Sequence, residues 1–327
     1  MIKINNQFIS RALDTTIAPG FSRVGFAVRS RLQHWSDVSR ADLSGKVIVI
    51  TGPTSGLGEA TAHILAPTGA QLVLVGRNAE KCARTADAVR SASPGCDPVV
   101  VIAEMGDLDS VADASRKIRE QFPRIDVLIH NAGALLNERT ESRQGIEQTV
   151  ASHVVGPHLM TSLLRDSLRA ANGRVVTVSS GGMYGATLPN LHSGESLEMS
   201  ESSYNGTRQY AIAKRAQVTL NEMWAEKEPN VTFVAMHPGW ADTPGVQKSI
   251  PLFRTLTRPI LRTAREGADT IAWLASVYPL PRSSGTFWSD REVRPIHKTP
   301  ISRRSDTASA RDALWAWCDD KIQPYLD

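Results

Sequence analysis

"KVIVITGPTSGLGEA", residues 46–60, runs from a β-branched apolar stretch through three glycines into residues that favour a helix. Val47, Ile48, Val49 and Ile50 are apolar at successive positions, so both faces of that strand need cover, as in the interior of a parallel sheet. Gly52, Gly56 and Gly58 follow in the spacing G-x-x-x-G-x-G, with Thr54, Ser55 and Leu57 among them. Glycines there let the chain turn tightly and bring backbone N–H groups against a pyrophosphate, while the helix N-terminus adds partial positive charge. A plain tight turn also uses glycines; the strand before and helix after are what make this one read as a nucleotide cradle. No Lys-Ser/Thr pair follows, so the loop is not the triphosphate motif GxxxxGK[ST], and a dinucleotide is favoured.

Similar apolar runs recur along the chain: "QLVLVG" (71–76), "PVVVIA" (98–103), "IDVLIHNAG" (125–133), "GRVVTVSS" (173–180) and "VTFVAMHPG" (231–239). Segments 58–66, 79–91, 108–122, 145–170 and 207–227 between them are long enough for crossover helices. This alternation predicts an α/β fold, a three-layer doubly wound parallel sheet of about seven strands, with "GTFWSD" (285–290) as the last. One domain is expected over 41–290, with an N-terminal amphipathic extension (1–40) and a C-terminal tail (291–327) carrying a short helix around Leu314, Trp317 and Ile322. In the extension, Phe21, Val24, Val28, Leu32 and Trp35 are spaced as one apolar helix face.

Composition narrows the function classes. With 41% hydrophobic and 21% charged residues, the 327-residue chain has the material for a sizeable core. A net charge of +4 suits anionic ligands, and no nucleic-acid-binding signature is present. Three cysteines without CxxC spacing read as reduced thiols, and the histidines show no metal-ligand spacing. A cytoplasmic protein is expected. The Arg-rich N-terminal segment also suits peripheral membrane contact or organelle targeting through residues 1–40.

Specificity and chemistry fall at the ends of later strands. Where the second strand ends, a cofactor with a free ribose 2′-hydroxyl usually meets an acid, whereas a 2′-phosphate needs a cation. Arg77 stands there, which favours NADP(H) over NAD(H). In "YAIAK" (210–214), four residues of helix return Lys214 to the face of Tyr210. A free phenol has a pKa near ~10, and a neighbouring ammonium would favour its ionised form. Ser179 and Ser180 close the fifth strand at its carboxyl edge, where open α/β sheets bind ligands, and a hydroxyl there can polarise a carbonyl.

Together "TGPTSGLG" (51–58), "NAG" (131–133), "VSS" (178–180), "YAIAK" (210–214) and "PGWADT" (238–243) resemble the short-chain dehydrogenase/reductase family in family order, over roughly residues 44–290. The resemblance implies Tyr210 as catalytic acid/base and Lys214 as the residue that binds the nicotinamide ribose and lowers the tyrosine pKa. It implies Ser180 as the group that polarises the carbonyl. Asn131, Ala132 and Gly133 would support the centre of the cofactor, and Pro238, Gly239 and Thr243 its nicotinamide side. Pairing into a homodimer or homotetramer through the helices bearing 146–166 and 207–227 is implied as well. His153 falls where the family usually places a proton-relay asparagine, and the adenine-side acid is either Glu104 or Asp107.

The expected activity is interconversion of a carbonyl and an alcohol. Met183, Tyr184, Leu188, Leu191, Leu197, Met199 and Tyr204 either wall a pocket for a lipophilic substrate or form a surface loop with its own cluster. The alternative is a dinucleotide-binding regulatory or scaffold protein whose catalysis has lapsed. The arginines Arg254, Arg258, Arg262 and Arg265 read as a solvated face.

Overall fold

A computed structural model describes residues 17–249, 254–255 and 257–326; the part of the N-terminal extension before Ile17 lies outside them. The strands are β1 (Val47–Thr51), β2 (Gln71–Gly76), β3 (Val99–Ile102), β4 (Val127–His130), β5 (Arg174–Val178), β6 (Thr232–Met236), β7 (Thr286–Ser289) and β8 (Glu292–Val293). They form a sheet in the order β3-β2-β1-β4-β5-β6-β7-β8. All neighbours pair in parallel except β7 and β8, which are antiparallel. β8 adds to the seven strands expected; a two-residue strand is too short to leave a periodic signal.

The helices are α1 (Ile17–Phe21), α2 (Arg23–Leu32), α3 (Gly56–Leu65), α4 (Ala79–Ala92), α5 (Leu108–Gln121), α6 (Gly156–Ala171), α7 (Gly206–Lys227), α8 (Pro244–Ser249), α9 (Ala264–Ser276), α10 (Pro300–Ser305) and α11 (Ala308–Ile322). Alternate residues of β1 enter opposite faces of the sheet. Ile48 and Ile50 pack with Ile64 of α3, Val89 of α4 and Ile271 of α9. Val49 packs with Val111 of α5, Leu159 of α6 and Leu220 of α7. All of these are buried, and each such side chain contributes ~1.5–3 kcal/mol by leaving water. Two helical layers on one sheet give the predicted doubly wound architecture. Strand order reverses between β1 and β4, which opens a crevice at the carboxyl ends of the strands.

The chain ends pack onto this frame. Leu314, Cys318 and Ile322 of α11 join the cluster under α6 and α7. In the N-terminal segment Phe21 of the apolar stripe is buried and Val28, Leu32 and Trp35 are half-buried, but Val24 is 54% exposed and the charged Arg29 is buried beside Gly25. The reason is an ion pair. Arg29 lies 2.5 Å from Asp290, whose carboxylate is fully buried, and a neutralised charge enters a core that hydropathy patterning reserves for apolar side chains. Arg262, read from sequence as part of a solvated face, is buried on the same carboxylate at 2.6 Å.

Among the described residues, no helix is long and apolar enough to cross a membrane, and no group of three or more metal-ligating side chains occurs. Cys82, Cys96 and Cys318 are all buried and unbridged.

Candidate active site

β1 delivers the chain into the glycine turn, where Gly52 and Gly56 have φ of +66° and +59°. Gly58 is required by close approach: a Cβ there would stand 2.1 Å from the Gly52 carbonyl oxygen and 2.4 Å from Asn131 Nδ2. The Asn131 side chain faces inward and donates to the Thr51 and Gly52 carbonyls at 3.0 and 3.1 Å, while the Ala132 N–H donates to Thr51 Oγ1 at 3.0 Å. The strand end of β4 thus locks the end of β1. Ser55 is the N-cap of α3 but makes no side-chain capping bond. An uncapped helix start behind a closely packed glycine turn is chemically suited to an anion such as a pyrophosphate. Thr54 sits beside Gly76 at the end of β2, its Cγ2 3.6 Å from where a Cβ on that glycine would lie.

The candidate catalytic residues come from the end of β5 and from α7. Ser179 is spent on structure, donating from Oγ to the Lys214 carbonyl at 2.9 Å. Ser180, one residue on, accepts from the Gly182 N–H at 3.2 Å and is also placed to bond the Tyr210 hydroxyl. Lys214 is buried, donates to the Val178 carbonyl at 2.9 Å, and lies 5.3 Å from the centre of the Tyr210 ring. The structure thus brings Ser180, Tyr210 and Lys214 together at one strand end. Electrostatics depart from the expectation that the lysine lowers the tyrosine. Burial pushes the Tyr210 phenol up to about 12, opposed by the bond to Ser180, although the side chain keeps partial exposure. Burial also pulls Lys214 down to about 7. An ammonium lowers a neighbouring phenol only while charged, and this one loses its proton close to neutrality.

His153 lies in a π-type turn, Ala151–Val155, that precedes α6. Such turns insert one residue into a helix and recur at functional sites. The ring stands edge-on to Tyr210 with centroids 5.4 Å apart, and it fills the space a Cβ on Gly133 would need. Nε2 is 3.1 Å from the Ala134 N–H and 3.0 Å from the Ala134 carbonyl, so either tautomer finds a partner. Burial, followed by the charge on Lys214, holds its pKa well below the usual 6.5. It is a neutral group against the tyrosine.

The segment expected on the nicotinamide side folds over the glycine turn. Thr243 Cβ is 3.3 Å from where a Cβ on Gly56 would lie, and Leu57, Ala241 and Pro238 converge on Gly267 of α9. Gly239 has φ +73°, and its N–H donates to His237 Nδ1 at 3.2 Å. His237 is an acceptor because burial lowers its pKa to about 3. At the other end of the crevice, the Arg77 side chain is 74% exposed and its Nη1 is 3.1 Å from a Glu104 oxygen. Asp107 caps α5 through the Asp109 N–H at 3.1 Å, so of the two adenine-side acids Glu104 is the one beside Arg77.

The segment after Ser180 divides. Met183 and Tyr184 pack with Phe21 and Phe287, while Leu188 and Leu197 enter the main core. Phe21, Arg29, His237, Arg262 and Asp290 border this region and were absent from the sequence-derived site. "DREV" (290–293) carries an acid beside a basic residue after the last parallel strand, but nothing in the local pattern says that the acid is buried.

The family model described as short chain dehydrogenase matches residues 46–189. Human dehydrogenase/reductase SDR family member 12 is 33% identical over 274 residues, covering 83% of this chain and 84% of that protein. Human retinol dehydrogenase 12 is 29% identical over 282 residues, covering 85% and 86%. An alcohol dehydrogenase from the archaeon Thermococcus sibiricus, solved in complex with 5-hydroxy-NADP, shares the fold with a TM-score of 0.58 at 23% identity, over 76% of this chain and 98% of that one. With one third of its residues shared along most of its length, on the sheet described above, the chain belongs to the short-chain dehydrogenase/reductase family and is an oxidoreductase.

Proposed function

We propose that the protein is an NADP(H)-dependent oxidoreductase that interconverts a lipophilic carbonyl compound and its alcohol at a Ser180–Tyr210–Lys214 site. The observation that carries this reading is the convergence of those three side chains just past the carboxyl end of β5, on the same edge of the parallel sheet at which β1 runs into the glycine turn. A bound nicotinamide supplies or accepts the hydride at the substrate carbon. Ser180 Oγ donates to the substrate oxygen and fixes its direction. Tyr210, whose hydroxyl is neutral at physiological pH, gives that oxygen its proton in reduction and recovers it in oxidation. Lys214, anchored on Val178, would hold the cofactor's ribose, and the positive charge of an oxidised nicotinamide would bring the Tyr210 phenol down from its raised value.

Three features refine the assignment. Arg77 offers the 2′-phosphate a guanidinium in exchange for its contact with Glu104. Gly52, Gly56 and Gly58 with Thr54, Ser55 and Leu57 hold the pyrophosphate, and Asn131, Ala132 and Gly133 form the floor. Phe21 lies beside Gly181 and against Tyr184 and Trp240, with the Lys298 ammonium 5.0 and 4.7 Å from the Phe21 and Tyr184 rings, so a lipophilic substrate would meet the half-exposed Trp240 at the border of this cluster.

A panel of lipophilic aldehydes, ketones and secondary alcohols, run with NADPH and NADH in parallel, tests the reading. Turnover is expected with NADPH, lost in Tyr210→Phe while NADPH binding persists. Retained turnover in that variant refutes the role of the tyrosine. Dinucleotide binding with no turnover across the panel assigns a binding protein of the same fold.

A further inference from the structure

We propose that residues 17–36 are a positioning strap for the reaction centre, acting through Arg29, Asp290 and Arg262 to fix the turn Pro238–Thr243 over the glycine cradle. This inference rests on the reading of that turn as the nicotinamide side of a dinucleotide site.

The link between β7 and β8 is the first support. Its two residues, Asp290 and Arg291, have φ of 53° and 56°. A two-residue hairpin link with both residues left-handed favours Asn-Gly or Asp-Gly, and a bulky side chain there is strained. Such a conformation persists only when its surroundings over-determine it, and here the N-terminal segment does so. Arg291 donates to the Ser36 carbonyl at 3.0 Å, lies 4.8 Å from the centre of the Trp35 ring, and pairs with Asp269 at 2.7 Å.

Asp290 carries the constraint inward. Its carboxylate is clamped by Arg29 at 2.5 Å and by Arg262 at 2.6 and 2.9 Å, and all three residues are buried. Arg262 spends its remaining donors on the Pro238 carbonyl at 3.1 Å and on the Ser22 and Gly20 carbonyls at 3.2 Å each. Its guanidinium lies against Gly239, where a Cβ would come within 2.5 Å of Cζ. Its backbone continues the bracing: Arg262 N–H donates to the Trp240 carbonyl at 2.7 Å, and Asp242 N–H to the Arg262 carbonyl at 2.8 Å. The Trp240 N–H in turn donates to the Phe21 carbonyl at 2.8 Å.

The turn therefore meets the strap directly at Phe21 and indirectly through one fully paired buried carboxylate. Networks of this kind have discrete geometry, because a half-satisfied buried charge is costly. Loosening the strap lets the turn shift relative to the cradle, and sub-ångström displacement of a positioning element is felt in binding and turnover.

The test uses the full chain with Arg29→Met, Arg29→Lys and, as a distant control, Arg84→Ala. NADPH affinity is read by fluorescence titration, KM and kcat on the best substrate of the panel, and the unfolding midpoint by circular dichroism. Arg29→Met is expected to weaken NADPH binding by about tenfold, to raise KM for the dinucleotide more than for the carbonyl, and to lower the midpoint. Arg29→Lys keeps the charge but not the guanidinium that reaches both Asp290 and the Gly20 carbonyl at 3.1 Å; it should fall between Arg29→Met and wild type, and Arg84→Ala should match wild type. Should Arg29→Met not fold, Arg29→Lys carries the same comparison. Unchanged NADPH binding in the folded variants, whatever their midpoint, overturns the strap and leaves only a packing role. No dinucleotide binding by the wild-type protein overturns instead the cofactor reading beneath it.

Discussion

Lys214→Met should make the dinucleotide-free protein more stable at pH 6 while ending its turnover. In the folded protein burial holds the Lys214 pKa near 7, against 10.5 for the free side chain. At ~1.36 kcal/mol per pH unit, keeping the ammonium in that site costs about 5 kcal/mol wherever both folded and unfolded chains hold the proton. Methionine, of similar length, removes the charge but leaves the Val178 carbonyl without its 2.9 Å partner, a loss of ~1–3 kcal/mol. The variant is therefore ahead by about 3 kcal/mol below pH 7. The penalty is fully present below about 7 and fades as pH rises toward 10.5, because the folded lysine is then already neutral and the unfolded one becomes so. Urea unfolding of both proteins at pH 6, 8 and 10 reads this directly; the raised Tyr210 pKa destabilises both only above pH 10. The advantage should shrink steadily across the series. A stability difference that is the same at pH 6 and pH 10, or a wild type that is the more stable at pH 6, would refute the assignment of a desolvated ammonium.

Gly58→Ala should destabilise the fold by about 2 kcal/mol despite the better helix propensity of alanine, since its Cβ meets a backbone carbonyl at 2.1 Å and an amide already committed to two bonds. Gly95→Ala, which points into open space, should shift the thermal midpoint little. Glu104→Gln should lower KM for NADPH severalfold relative to NADH by releasing Arg77, and Arg77→Ala should do the reverse; both effects should fade as salt screens these exposed charges.

The parallel strands were legible because strands buried on both faces must be apolar at every position, a requirement that writes itself into runs such as Val47–Ile50. The grouping of the candidate residues was legible because its parts are local: one helical turn joins Tyr210 to Lys214, and Ser180 lies just past the end of β5. What pattern could not show was charge buried by pairing. Arg29 and Asp290 are 261 positions apart, and each, taken singly, looks like a surface residue. The apolar stripe therefore holds at Phe21 but not at Val24, and the solvated face holds at Arg258 and Arg265 but not at Arg262. The state of the Tyr210–Lys214 pair was likewise hidden, since proximity follows from sequence but desolvation follows from everything packed around it. The π-type turn at His153 left no compositional trace.

The two borders of the sheet differ in what they offer to a foreign strand. On the β8 side only two residues stand at the margin, and the Glu292 side chain is already held by Gln33 Nε2 at 2.5 Å. The opposite margin, β3, is four residues long, with Ile102 43% exposed and Lys117 and Glu120 lining the groove beside it. Short margins, one tethered and the other flanked by charge, give edge-to-edge polymerisation little backbone to seize.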